Sequence, residues 1–369
     1  MDSCYRSWVE ISLSRIAANY RSVCQAVGEG VEVLGVVKAD AYGHGALQVA
    51  RVLTGTGARW LAVSSVDEGV VLREGGVDAR ILVMGGVLPY EVEALWEYNL
   101  TPAVHSFGEI AALATFNREI RYHLKIDTGM SRLGVRSEVD RILDELAAPR
   151  SAQLEGLMTH FASAADFTSQ QTETQMATFQ AVCSRLSPLP RYIHTASTNA
   201  IAYARRGMQE NMVRPGHALY GYVSSPRGVC GPRILEVKPA LKWKARILVV
   251  KDLEEGSLIG YGGTFRAPRR MRVGVLAVGY ADGYPHRLSN RGRVIAAGKP
   301  APILGTVSMD LTTVDLSHAP HLGPGDEVTL LGEEGDAGVD AQQIARFAGT
   351  ISYNVLCGIG ARVRRVYVP

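Results

Sequence analysis

A lysine, a tyrosine and a histidine stand close together in the stretch VLGVVKADAYGHGA, which runs from Val33 to Ala46. Residues 33–37 form an apolar, β-branched run with the length of a strand buried on both faces, and the run delivers Lys38 at its carboxyl end. In α/β proteins that end of a parallel strand is where reactive groups are placed. Tyr42 and His44 follow in a turn made tight by Gly43 and Gly45, so an amine, a phenol and an imidazole meet at one strand end. The free N–H groups of the helix expected after the turn suit a phosphate. A lone lysine at a strand end usually snorkels to water. A partly desolvated lysine among other polar groups has a lowered pKa and condenses with carbonyls, which is how pyridoxal phosphate is held.

Other strand-like runs end in reactive groups as well. KIDTGMSRLG carries Lys125 and Asp127, which share a face by the period of two, and Arg132 after a glycine-containing turn. A surface salt bridge is the bland alternative for these charges. MTHFASAAD ends a run at His160, and IHTASTNA supplies His194, Ser197 and Thr198. A histidine at a buried strand end is more often a satisfied core residue than a catalyst. Arg214, in MVRPGHALYG, is a stronger signal, because a guanidinium behind Met212 and Val213 is costly to bury and a hydrogen-bonding heterocycle would give it a partner. Further on, Tyr261 lies in GYGGTF, Tyr280 and Tyr284 in VGYADGY, Met309 and Asp310 in TVSMD, and Tyr353 in ISYNVLCGIG. The chain holds 15 Tyr against 7 Phe, which fits a use for phenolic hydroxyls, although any one tyrosine is ordinarily structural.

These residues need elements to position them. Runs of strand length occur at residues 33–37, 60–65, 81–85, 101–105, 122–126, 154–161, 192–196 and 211–215, separated by helical patterns such as 137–146. Eight strands alternating with helices over about 200 residues predict a (β/α)8 TIM-type barrel, with an open doubly wound sheet as competitor. A short strand over residues 8–13 and a helix capped by Ser12 or Ser14 precede them. Near Arg233 the helical period stops, and short β-rich runs take over at 241–250, 272–280, 293–298, 306–316 and 326–332, with one clear helix at 340–348. The class is therefore α/β: a barrel over residues 1–234 and a mainly β domain over 235–369. The barrel model gathers the reactive strand ends on one face around Lys38.

Composition sets bounds. A chain of 369 residues exceeds one ordinary core, and 47% hydrophobic with 20% charged residues at a formal charge of +3 offers no field for nucleic acid. Five cysteines, at 4, 24, 183, 230 and 357, lack metal-ligand or disulfide spacing, so no metal site is expected and a reducing compartment is. The start lacks the basic-then-apolar order of a secretion signal, and no run of about 18 apolar residues occurs. A cytoplasmic protein without a membrane partner is the expectation.

VVKADAYGHG, KIDTGMSRLG, THFASAAD, MVRPG, GYGGTF, VGYADGY and SMD resemble, in order and over essentially the whole chain, the motifs of the alanine racemases, pyridoxal-phosphate enzymes built from a barrel and a β domain. The resemblance implies a homodimer with shared active sites acting on a small amino acid to supply D-alanine for peptidoglycan. Lys38 would be the lysine that carries the cofactor and one of two bases, and Tyr261, from the partner subunit, the other. Tyr42, Thr198, Gly216 and Tyr353 would hold the phosphate, His160 would pack on the ring, and Arg214 would face the pyridine nitrogen. Arg132 would meet the cofactor's phenolic oxygen and the substrate carboxylate, Met309 would give that carboxylate a backbone N–H, and Lys125 is the candidate for carbamylation. Three positions depart from the family: Thr198 for a common serine, His217 for a small or branched apolar residue, and Ser308 for a frequent cysteine.

Racemisation needs a proton removed from one face of Cα and returned to the other. Lysine and tyrosine, both with ordinary pKa values near ~10, suit that task once desolvation or neighbouring cations lower them. A racemase of broader or serine specificity on the same fold is the nearest alternative. An amino-acid decarboxylase of this architecture would place a carboxylate where Arg214 stands, and a single-barrel cofactor carrier would lack the domain bearing Tyr261.

Overall fold

The computed structural model describes residues 5–115, 119–148, 151–207 and 210–369. Two compact units are formed, one from Arg15–Ala41 and Gly45–Lys238, the other from Met1–Ser14, Tyr42–His44 and Pro239–Pro369. Cys4 lies outside the described residues; Cys24, Cys183, Cys230 and Cys357 are in no disulfide.

β1 (Ser7–Ser12) comes first, followed by the helix Leu13–Val27, whose buried Ile16, Ala17, Tyr20, Val23 and Val27 recur at helical spacing. The barrel strands are β2 (Glu32–Val36), β3 (Trp60–Val63), β4 (Arg80–Val83), β5 (Leu100–Val104), β6 (Ile120–Lys125), β7 (Ala152–Met158), β8 (Tyr192–His194) and β9 (Met212–Val213). They pair in the order β8-β7-β6-β5-β4-β3-β2-β9 with every ladder parallel. A Ser197–Arg214 bridge lies between the two end strands, which leaves the barrel nearly closed. All eight strand-like runs read from the sequence become barrel strands. Their burial on both faces follows from the architecture, since side chains alternate between the packed interior and the surrounding helices.

The other unit is built on β10 (Leu241–Leu253), which alternates buried and half-buried residues with a period of two along its first half. The remaining strands are β11 (Leu258–Ile259), β12 (Phe265–Arg266), β13 (Met271–Leu276), β14 (Arg293–Ala296), β15 (Lys299–Pro302), β16 (Thr312–Asp315), β17 (Glu327–Glu334), β18 (Ala337–Val339) and β19 (Arg364–Val368). β10 pairs antiparallel with β1 and β17 in its first half and with β13 beyond a register shift at Ile247–Val249, so one strand serves both parts of a nine-stranded sheet. β1 also pairs parallel with β19, which places the first strand of the chain in the sheet of the C-terminal region. Ala341–Ala348 is helical with Asp340 as its cap, and a second short helix, Ser352–Cys357, lies where the sequence reading placed none.

Candidate active site

The chain leaves β2 at Val37 and turns the wrong way. Ala39, Asp40, Ala41 and Tyr42 all have positive φ, from 50 to 55°, and Gly43 and Gly45 continue at 80 and 89°. A left-handed turn of four non-glycine residues costs roughly 1–2 kcal/mol for each of them. It is held from several sides: Ala41 N–H donates to Val37 O at 2.8 Å, Ala39 N–H to Glu68 Oε1 at 2.7 Å, and Gly45 N–H to Asp40 O at 2.9 Å. Asp40 Oδ1 also takes the N–H of Ala46, the first residue of the helix Ala46–Gly55, so one of the helix's N-terminal donors is used within the turn. A Cβ on Gly43 would come within 2.5 Å of Leu356 O, which fixes glycine there. The turn begins at Lys38, half-buried, and aims Tyr42 inward. Backbone strain of this kind persists where the surroundings over-determine it, and it gathers at functional sites.

Tyr42 and Tyr353 meet with ring centroids 5.9 Å apart. Burial pushes the Tyr42 phenol well above its ordinary pKa, so it remains a protonated donor, the form that suits a phosphate oxygen. In the barrel unit, Thr198 Oγ1 accepts the N–H groups of Gly216 at 3.2 Å and Ala218 at 3.1 Å, drawing the ends of β8 and β9 together. His217 is buried and stacks on Tyr222 at 5.0 Å, so this departure from the family pattern is absorbed by packing.

At the mouth of the barrel, positive charge accumulates. Lys125 is 5% exposed and its pKa falls to about 8, first through burial and then through Arg214, Arg132 and Lys38, against Asp127 alone. His160 is held down to about 3 by burial and by the same four cations, so its ring is neutral at any working pH. Asp127 pairs with Arg136 at 3.1 Å through Oδ2, while its Oδ1 accepts three successive N–H groups, from Gly129, Met130 and Ser131. Asp127 thus has the bland role, a salt bridge to the exposed Arg136, and is also a loop anchor, which presents the exposed Arg132 one residue after Ser131, itself at φ 57°.

Arg214 is 3% exposed and meets only neutral acceptors. Nη1 donates to His194 O at 2.8 Å and to His194 Nδ1 at 2.9 Å, and Nη2 donates to Thr159 O at 2.6 Å and Thr195 O at 3.0 Å. Burial lowers its pKa to about 10, countered by the field of Glu210, and it remains a cation and a donor. Within the barrel unit Lys38, Lys125, Arg132 and Arg214 together outnumber the carboxylates near them, and that balance beside the neutral imidazole of His160 fits an anionic ligand bearing a phosphate or a carboxylate.

In the β unit, Tyr261 occupies a turn in which Gly260 and Gly262 have φ of 73 and 71°, and its side chain is 76% exposed. Met309 is exposed and its carbonyl accepts Ala281 N–H at 2.9 Å. Ser308 Oγ donates to Leu311 O and accepts Leu311 N–H, closing the turn that holds Met309 out, so serine serves at this departure. Arg362 bridges Asp282, through Nε at 2.6 Å, and Asp310, at 2.7 Å, below the same turn.

Sequence reasoning missed the supporting residues. Glu68 under the left-handed turn and Gln175, whose amide contacts Ala162 N–H, Thr128 and His160 O, sit far along the chain from the groups they hold. Nothing in their local pattern marks them.

The family profile for the alanine racemase N-terminal domain matches residues 11–224, and that for the alanine racemase C-terminal domain matches residues 240–367. An alanine racemase of Halothermothrix orenii is 40% identical over 370 aligned positions, covering 98% of this chain and 96% of the relative. Among solved structures, alanine racemase from E. faecalis superposes with a TM-score of 0.92 at 32% identity, covering all of both chains. Alanine racemase from Bartonella henselae with covalently bound pyridoxal phosphate gives a TM-score of 0.87 at 28% identity, covering 99% of this chain and all of that one.

Proposed function

The chain belongs to the alanine racemase family, and from that premise we propose how its own residues carry out the reaction. It is a pyridoxal-phosphate-dependent isomerase that interconverts L- and D-alanine. The observation that carries the residue assignment is the strained turn at Lys38 beside a cation cluster with too few carboxylates. When bound, the cofactor withdraws electrons from an amino acid joined to it and so acidifies the Cα–H.

Lys38 carries the cofactor and moves the Cα proton on one face through its Nζ; Tyr261 moves it on the other through its phenolic oxygen. Lys125, Arg132 and Arg214 surround this strand end with positive charge. Arg132 and the Met309 N–H orient the substrate carboxylate. Lys125, an amine of about 8 in a cationic pocket, is set for carbamylation, which would turn one repulsive cation into an anion bracing Arg132. Tyr42, Tyr353, Thr198 and Gly216 would hold the phosphate, and His160 would pack against the ring. Arg214, a donor that does not part with its proton near neutrality, would face the ring nitrogen and offer it no proton.

The enzyme acts as a homodimer, because a base must be shielded from water and Tyr261 in a single chain is not. Residues 1–234 would supply most of the cofactor site, and residues 235–369 the second base and Tyr353. The product serves peptidoglycan synthesis in the cytoplasm, a reading supported by free, scattered cysteines and by the lack of any helix among the described residues long and apolar enough to cross a membrane. Borohydride reduction followed by peptide mapping tests the central assignment: the reduced cofactor is expected on Lys38, and its recovery on another lysine would overturn the site.

A further inference from the structure

Behind Arg214 a row of buried polar side chains runs from the mouth of the barrel toward the amino-terminal ends of its strands. His194 Nδ1 lies 2.9 Å from Arg214 Nη1, and His194 Nε2 lies 2.8 Å from His123 Nδ1. His123 Nε2 is 3.9 Å from Glu155 Oε2 and makes no hydrogen bond of its own. Glu155 is gripped by both terminal nitrogens of Arg80, at 2.6 Å each, and Arg80 lies 4.0 Å over the Trp60 ring. Both histidines are fully buried.

The direction of the row is forced. A guanidinium only donates, so His194 Nδ1 accepts and its proton sits on Nε2; that N–H needs an acceptor, so His123 Nδ1 accepts and its proton also sits on Nε2. His123 then points an N–H dipole at the Glu155 carboxylate, beyond hydrogen-bond length but close enough for the charge to orient it in a buried site. Burial and the charge of Arg214 hold both imidazoles far below their ordinary pKa, which excludes a protonated member.

The barrel makes room for this arrangement. A Cβ on Gly156 would come within 2.6 Å of the His123 ring, and the β6–β7 register slips between Tyr122 and His123. Space for an imidazole pair packed against Trp60 and Tyr192 is not a packing convenience, because apolar residues of equal volume fill such a core at lower cost.

We propose that Glu155 is a positioning residue for racemisation, acting through His123 and His194 to hold Arg214 in the orientation that meets the cofactor ring. This rests on the reading of Arg214 given above. A carboxamide in place of the carboxylate offers His123 Nε2 an N–H instead of a negative charge. His123 would then carry its proton on Nδ1, facing the His194 Nε2–H, and relief of that clash would turn the His194 Nδ1–H on Arg214.

Nitrogen-15 NMR of histidine-labelled protein without cofactor reads the tautomers directly, with His123→Asn used for assignment. Both histidines are expected as neutral Nε2–H tautomers, and an Nδ1–H or protonated form of either in the unsubstituted protein would overturn the relay. In Glu155→Gln the Nδ1–H form is expected to appear, with kcat down roughly 3- to 30-fold in the loaded enzyme and the alanine KM little changed. In a His123→Asn background the same substitution should be nearly silent, because no imidazole transmits it; an equal loss there would mean that Glu155 acts only through barrel stability. If Glu155→Gln does not fold, Glu155→Asp, which retains the charge, is expected to keep both tautomers, and their loss would refute the role of that charge. Altered tautomers with an unchanged kcat would refute the positioning role while leaving the cofactor reading intact, and failure of that reading shows instead in the mapping at Lys38.

Discussion

At Lys125 the charge balance can be tested on one residue. Its amine, buried among Arg214, Arg132 and Lys38, titrates at about 8, so roughly a tenth is unprotonated at pH 7 and able to react with carbon dioxide. Carbamylation removes a cation from the cluster and adds an anion, which is favourable where burial already disfavours the ammonium. Labelled bicarbonate should therefore give a carbamate carbon-13 resonance that strengthens as pH rises through 8. The signal should vanish in Lys125→Arg, whose guanidinium stays protonated. A resonance that survives in that variant belongs to another amine. Residues such as Lys125 and Arg214 were legible in the sequence because a cation after an apolar run is improbable without a task. Glu155 and His123 were not, since one carboxylate or imidazole inside a strand pattern is indistinguishable from a packed or solvated residue until the partner strands are in place.

Among the elements, the barrel strands were readable because strands buried on both faces must be continuous apolar runs, and helices between them break the pattern. The left-handed turn was not, because the two alanines and Tyr42 that flank Asp40 have no preference for positive φ; local bonds to Val37 and Asp40 and the tertiary bond to Glu68 hold them there. Likewise Ser352–Cys357 is too short for its period to show. The strands also carry a cost that depends on pH. His105 at about 4, His123 at about 3 and His194 well below its ordinary value are all buried neutral, whereas the unfolded imidazole binds a proton near 6.5. Below pH 6.5 the unfolded chain therefore holds more protons than the folded one, and stability is lost as pH falls, by roughly 2 kcal/mol per histidine at pH 5. Urea midpoints should drop steeply between pH 7 and 5. A midpoint that stays level over that interval would show that these histidines are protonated, or accessible, in the folded protein.

For the whole molecule, the exposure of Tyr261 decides what assembly the chemistry requires. A phenol 76% open to water has nothing to exclude solvent from the proton it would move, and Met309 at 54% is similarly bare. Leu258, Leu311 and Ile351 add exposed apolar surface in the same unit, which a second copy would cover. In the homodimer proposed above, taken as head-to-tail, each site would join Lys38 of one subunit to Tyr261 of the other, the two sites exchanging these roles by symmetry. Lys38→Ala and Tyr261→Phe should each lower kcat by roughly 10²- to 10⁴-fold as homodimers, the span of a general acid–base group. Mixed in equal amounts and allowed to exchange, about half of the dimers are heterodimers, each holding one site with both bases and one with neither. Activity should therefore return to roughly a quarter of that of the unsubstituted enzyme. Subunit exchange is verified separately, by recovering dimers that carry two different affinity tags. With exchange established, activity that stays at the level of the two parents would place Tyr261 in its own subunit's reaction or outside the chemistry altogether, and the dimer would lose its catalytic necessity.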